Sequence, residues 1–386
     1  MLIRDVETFV LKLDTEEAYL GRLRDGSEIG PAYTARPPWR SLYSGRFETL
    51  LVKATAEDGT AGWGEALAPV APEVPAAIVD RLLTPVLRGM DATRPRPAWS
   101  ALRDLMRERG HLVGHQADAL AAVDIALWDL AARLAGLRVA DLLGGAFRDD
   151  LPTYVSGLPR TTDAERAELA RDWAARGATA VKLHLGHGVA ADLATVSAIR
   201  AAAPSLRVAV DAHWVYSVTD AIQLARGLGE LGGWFLEAPL APEDVAGHAE
   251  LVRHAPVPIA VGEALRNRYE FGHWLERRAL RIVQPDVART GITEAMVVAE
   301  LAAARHVPVA PHHSVGLAVA LAAGLHVSAA VEELAVFEYQ PRPTEMGERI
   351  LHRPLAVRPD GFPLPDGPGL GIDVDEDAVR RLAKES

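Results

Sequence analysis

The sequence predicts an α/β barrel joined to an α+β unit, and three observations predict it. From about residue 150 onward, eight short apolar runs alternate with amphipathic helical stretches, the pattern of parallel βαβ units. Nearly every run closes on a charged side chain or an imidazole. Three of these, Asp211, Glu237 and Glu263, are equally spaced (237 − 211 = 26 and 263 − 237 = 26), leaving one strand, one helix and two loops between acids. An open doubly wound sheet is the rival architecture, but no Gly-rich phosphate fingerprint accompanies the repeat.

In chain order, residues 2–13 read as a strand, and Phe47–Ala56 turns through Glu57-Asp58-Gly59 into a second strand over 60–67. Residues 16–45 hold several aromatics, arginines and three prolines with no clear period, and are expected to form a long, ordered lid loop. Helical patterns follow at about 73–89, 97–108 and 117–135, the last carried by Leu120, Val123, Leu127 and Leu130. Asp124 and Asp129 on that helix read as surface or interhelix contacts rather than ligands. The eight barrel runs are 153–156, 180–185, 207–213, 234–239, 259–264, 282–286, 308–313 and 335–339. Between them, Thr162-x-x-Glu165 and Ser217-x-x-Asp220 predict helix starts, and Gly177 and Gly232-Gly233 predict helix stops. The expected division is 1–118 for the first unit, 119–344 for the barrel and 345–386 for a segment returning to the first unit.

Composition narrows the chemistry. With 49% hydrophobic and 24% charged residues the chain has the balance of a globular protein, and no run of 18 apolar residues offers a membrane span. The charged first residues do not form a signal-peptide core, so a cytoplasmic location and no membrane partner are expected. Zero cysteines remove disulfides, thiolate nucleophiles and cysteine-ligated zinc. A net charge of −11 without a basic stripe argues against nucleic acid. An assembly of identical chains is the expected state.

In barrels of this class the chemistry gathers where the strands end. There the sequence places Lys182 and His184, Asp211 and His213, Glu237, Glu263, Asp286, His312 and His313, and Glu338. One buried acid is easily a satisfied core group, but clustered carboxylates repel and call for a cation. Oxygen donors without cysteine fit a hard divalent ion such as Mg²⁺.

These residues resemble the mandelate racemase subgroup of the enolase superfamily. The resemblance rests on Asp211, Glu237 and Glu263 at successive strand ends, Asp286 in Gln-Pro-Asp, His312 in Ala-Pro-His, and Glu338 on the last strand. It extends to Gly62-Trp-Gly-Glu65 and to the stretch from Asp124 through Ala126-Leu-Trp-Asp129 to Gly145, and so spans nearly the whole chain. It implies a modified TIM barrel, (β/α)₇β, with an α+β capping domain made from both termini. It also implies one Mg²⁺ held by Asp211, Glu237 and Glu263, and removal of the proton α to a substrate carboxylate. His312 would be the base, oriented by Asp286. Lys182 would add positive charge near the carboxylate, and Glu338, if protonated, would donate a hydrogen bond to it.

Departures from the family pattern bear on the reaction. Many members carry Lys-x-Lys on the second strand, whereas this sequence has Lys182-Leu-His184. That weakens a two-base racemase. Asp211-Ala-His213 matches the Asp-x-His of some acid-sugar dehydratases, in which the histidine expels the β-hydroxyl. The expectation is dehydration of an aldonate or aldarate to a 2-keto-3-deoxy acid, with racemisation, epimerisation or sugar-lactone cycloisomerisation as the alternatives. Arg22, Arg24, Arg36 and Arg40 in the lid are candidates for binding a distal carboxylate or hydroxyls. A zinc amidohydrolase is disfavoured because Thr153-Tyr-Val-Ser-Gly157 lacks the His-x-His of its first strand. A silent scaffold protein would have lost ligands that are all present here.

Overall fold

A computed structural model describes residues 1–15, 27–29, 32–39, 41–109 and 113–386. Arg22, Arg24 and Arg40, named above as lid candidates, lie outside the described residues. The cap begins with β1 (Ile3–Leu13), followed by three short strands, β2 (Ser27–Ile29), β3 (Tyr33–Ala35) and β4 (Leu42–Ser44), and then by β5 (Phe47–Ala56) and β6 (Ala61–Ala66). β1, β5 and β6 make an antiparallel sheet in that order, and β2, β3 and β4 make a second one. The stretch expected to be an irregular lid therefore carries a small sheet. Its strands are only three residues long, too short for any alternation to register in the sequence.

The helix Gly114–Ala135 lies across β5 and β6, and the reason is local. A Cβ at Gly64 would sit 1.9 Å from the Ala122 carbonyl oxygen, and one at Gly62 would sit 2.3 Å from the Leu130 amide nitrogen. Only glycine lets the sheet approach the helix backbone so closely. Asp129 then clamps the contact, accepting from the Trp63 amide at 2.8 Å and from the Leu370 amide at 2.8 Å. Asp124 joins the same helix to the barrel by accepting from the Thr293 amide at 2.8 Å and its hydroxyl at 2.7 Å. Both aspartates are fully buried. Of the two roles read from the sequence, the interhelix contact fits Asp124 and the surface contact fits neither.

The barrel strands are β7 (Asp150–Ser156), β8 (Ala180–His184), β9 (Arg207–Asp211), β10 (Leu236–Glu237), β11 (Ile259–Val261), β12 (Ile282–Val283) and β13 (Phe337–Tyr339). They are parallel and ordered β12-β11-β10-β9-β8-β7-β13. The expected seventh run, 308–313, forms no extended ladder. Prolines at 308 and 311 remove two amide donors, and what remains is isolated bridging of Val309 to Val283 and to Leu334 and of His312 to Asp286. Those bridges close the ring. Around it, Thr162 and Glu165 form the capping box that starts the helix Asp163–Ala175, and Ser217 caps Val218–Glu230. Gly177 and Gly232 follow these helices with positive φ.

Inside the ring, Tyr154, Ala180, Ala209, Phe235, Ala260, Ile282, Ala310 and Val336 form a buried cluster, one from each of the eight runs. This layer is the floor of the barrel. The C-terminal residues return outward: β14 (Gly361–Pro363) pairs with β7, and the helix Glu376–Glu385 docks on the cap through Lys53–Glu376 at 2.7 Å and Arg380–Glu7 at 2.8 Å. Among the described residues, no helix is long and apolar enough to cross a membrane.

Candidate active site

Side chains on a strand alternate between faces, so the residue two beyond each floor residue returns to the barrel interior. That step leads from the floor layer to Ser156, Lys182, Asp211, Glu237, Gly262, Gln284, His312 and Glu338. Five of the ten strand-end residues named from the sequence occupy this single layer. Glu263 and Asp286 lie just past it, at the ends of β11 and β12.

Lys182 is fully buried at the centre of the acids, 2.6 Å from Glu237, 2.8 Å from Glu338 and 3.9 Å from Asp211. Gln284, which sequence reasoning passed over, donates to Glu237 at 2.6 Å. The Nδ1 atom of His312 lies 2.7 Å from Asp286 Oδ2, and its Nε2 lies 3.0 Å from Glu263. His184 Nδ1 lies 3.1 Å from Asp211. His213 does not continue β9: it follows the strand end with φ 48°, its amide donates to Asp211 Oδ1 at 2.9 Å, and its ring Nε2 lies 2.8 Å from the Tyr43 hydroxyl. The left-handed turn rather than strand alternation thus aims this ring, and it aims it at the cap. The His313 ring stacks on Phe337, with 6.1 Å between centroids.

A pocket of about 540 Å³ opens over this layer. His184, Asp211, His213, Glu263 and His312 line it from the barrel, and Arg36, Ser41, Tyr43 and Arg46 line it from the cap. Arg36, the described member of the lid arginines, is buried with its guanidinium 5.9 Å from the Trp39 ring and 5.6 Å from the Tyr43 ring.

Two family models cover the chain: an enolase C-terminal domain-like model over residues 165–378 and the mandelate racemase / muconate lactonizing enzyme N-terminal domain over residues 35–144. The chain belongs to the enolase superfamily, mandelate racemase subgroup. The superfamily chain is 33% identical to a D-galactarolactone cycloisomerase of Agrobacterium fabrum, covering 86% of this chain and 90% of that one. It is 32% identical to a D-galactonate dehydratase of Verminephrobacter eiseniae, covering 92% and 93%. A crystal structure of a putative isomerase from Sinorhizobium meliloti superposes with a TM-score of 0.95 at 38% identity, over 99% of both chains.

Enolase-superfamily enzymes pair Mg²⁺ with a lysine or histidine base, and the donor chemistry of this member agrees with such an ion. Burial, with repulsion from Asp211, Glu338 and Glu263, outweighs Lys182 and pushes Glu237 up to about 8. One ligand atom each from Glu237, Glu263 and His312 lie within 4.8 Å of one another. Asp211, the third expected ligand, is the direct cross-strand partner of Glu237, but its carboxylate is turned toward His184 and Lys182.

Burial would raise the pKa of Glu338, but Lys182 and His312 hold it at about 2. Its oxygens accept from Lys182 at 2.8 Å and from the His313 amide at 3.2 Å. For His312, burial works to lower the pKa, but Glu338, Asp286 and Glu263 hold it well above its ordinary value.

Proposed function

We propose that this enzyme is a Mg²⁺-dependent acid-sugar dehydratase that converts an aldonate or aldarate to a 2-keto-3-deoxy acid. The observation that carries the reading is a pair of histidines lining one pocket, each with its own partner: His312 with Asp286, and His213 with Tyr43. A base for the α-proton and an acid for the β-hydroxyl are what dehydration needs.

Asp211, Glu237 and Glu263 would hold the ion, which when bound supplies Lewis-acid stabilisation of the charge developing on the substrate carboxylate. Asp286 accepts from His312 Nδ1 and so favours the tautomer whose Nε2 carries the lone pair; Nε2 would become free to take a proton when Glu263, which lies 3.0 Å from it here, serves the ion instead. His312 Nε2 takes the proton from the α-carbon, and the electron pair moves toward the carboxylate. Lys182 adds positive charge on that side. As the electrons return, the bond to the β-hydroxyl breaks and His213 supplies the proton that releases it as water. The enol that remains takes up a proton at the β-carbon to give the keto acid. The dehydratase relative supports this reading.

A second reading is lactone cycloisomerisation, which the relative from Agrobacterium fabrum favours. It begins with the same proton removal and differs in the leaving group. A panel of acid sugars assayed for keto acid by semicarbazone formation, with α-proton exchange followed by NMR in D₂O, tests both. Dehydration predicts semicarbazone with at least one acid sugar, and His312→Asn is expected to lower α-exchange by about 10²–10⁴-fold. Exchange at the wild-type rate in that variant would remove His312 from its role. Exchange without keto acid from any member of the panel would leave an isomerase.

A further inference from the structure

Besides Arg36 and Arg46 of the cap, two arginines from beyond the barrel strands line the pocket, Arg266 and Arg289. Each stands three residues beyond an acid of the site, Glu263 and Asp286: Arg266 on the loop that follows β11, and Arg289 in the first turn of the helix Val287–Ala303 that follows β12. Both line the pocket that opens over the catalytic layer, where the carboxyl ends of the strands receive substrate. Arg266 is already engaged: its Nε donates to Asp118 at 3.0 Å and its Nη1 to the Ala264 carbonyl at 2.6 Å. Arg289 is not. Its Nε is buried and has no hydrogen-bond acceptor, and no carboxylate comes within ion-pair distance of it, among the described residues. Asp118 feels both guanidiniums, Asp286 also acts on Arg266, and Arg266 is repelled by Arg289.

A buried donor with no acceptor, beside a second like charge, is costly unless a ligand completes it. The ligand that does so is an anion, and a guanidinium matches a carboxylate in two parallel hydrogen bonds. Resting on the acid-sugar reading above, we propose that Arg289, supported by Arg266, binds the distal carboxylate of the substrate, so that the enzyme selects aldarates, with an acid at both ends, over aldonates.

The test is equilibrium binding in the presence of Mg²⁺ of matched six-carbon pairs, galactarate against galactonate and glucarate against gluconate. His312→Asn protein prevents turnover during the measurement, and KM values of the wild-type enzyme are compared in parallel. At least one aldarate is expected to bind about tenfold or more tightly than its aldonate. Arg289→Gln is expected to remove that preference, weakening the aldarate while leaving the aldonate within about twofold, and Arg289→Lys to restore part of it. Equal binding of both members of each pair, or an aldonate preference, in the protein with Arg289 intact overturns the proposal whatever the variants do. So does an Arg289→Gln protein that loses both ligands equally. Arg289-dependent aldarate binding without α-exchange or keto acid would uphold this subsite and overturn the dehydratase reading. Turnover of aldonates and aldarates alike, unaffected by Arg289→Gln, would do the reverse.

Discussion

Asp286 holds His312 with one carboxylate oxygen and starts a helix with the other. Its Oδ2 lies 2.7 Å from His312 Nδ1, while Oδ1 accepts from the Ala288 amide at 2.8 Å and caps Val287–Ala303. The aspartate that the sequence marks as partner of the base is therefore also the cap of a helix. Asp286→Asn can keep the cap oxygen while presenting an amide N–H to the ring, which forces the other tautomer and removes the base. It should lower α-proton exchange by about 10²-fold or more with little change in stability. Asp286→Ala should lose the cap as well, about 1 kcal/mol in urea unfolding. Equal destabilisation by the two substitutions would contradict this division of labour.

Removing divalent metal should lower stability. An ion that binds the folded chain alone stabilises it by about 2.7 kcal/mol at a hundredfold excess over Kd. Chelator-treated protein should thus show a melting temperature that rises with added Mg²⁺, and Glu263→Gln should blunt the rise. A wild-type melting curve indifferent to Mg²⁺ would count against the carboxylate site.

Gly291 has φ 75° inside the helix Val287–Ala303, and a Cβ there would lie 2.7 Å from Asp124 Oδ2. Gly291→Ala combines backbone strain with pressure on the carboxylate that joins the cap helix to Thr293. We expect a loss of about 1–3 kcal/mol, read from urea unfolding. A neutral substitution would mean that the kink relaxes without cost.

His326 gives the fold a dependence on pH away from the active site. It is fully buried, accepts from the Ala140 amide at 3.3 Å, and burial lowers its pKa to about 4. A histidine depressed in the folded state favours unfolding once the unfolded chain binds its proton. Its contribution is therefore fully present above about pH 6.5 and is lost progressively as pH falls toward 4. At pH 5.5 the loss should be about 1 kcal/mol, and His326→Gln should flatten that part of the stability profile. An unchanged slope in the variant would place the effect elsewhere.

The barrel was legible because its signal is local: apolar runs of fixed spacing, each ending on a polar residue, with Thr162, Ser217, Gly177 and Gly232 marking the helices between. The floor and the catalytic layer follow from period two alone, so Gln284 was available to sequence reasoning as the residue two beyond Ile282. Other features were not. Whether 308–313 forms a ladder depends on which amides its neighbours offer, and Tyr43 reaches His213 across the domain boundary. Arg266 and Arg289 sit past the strand ends, where an arginine of the pocket and an arginine in solvent look identical in sequence. Asp124 and Asp129 were assigned by the general habit of charged residues, which their buried backbone donors override.

The 2.8 Å contact between Tyr43 and His213 spans 170 positions of sequence. His312, Asp286 and Lys182 all come from the barrel, whereas the histidine proposed to act on the leaving group is oriented by a residue of the small β2-β3-β4 sheet. Change in that sheet can retune the second half of the reaction while the first half stays as it is. The cap is thus a separable module for evolution, able to diversify products over an unchanged site of proton removal.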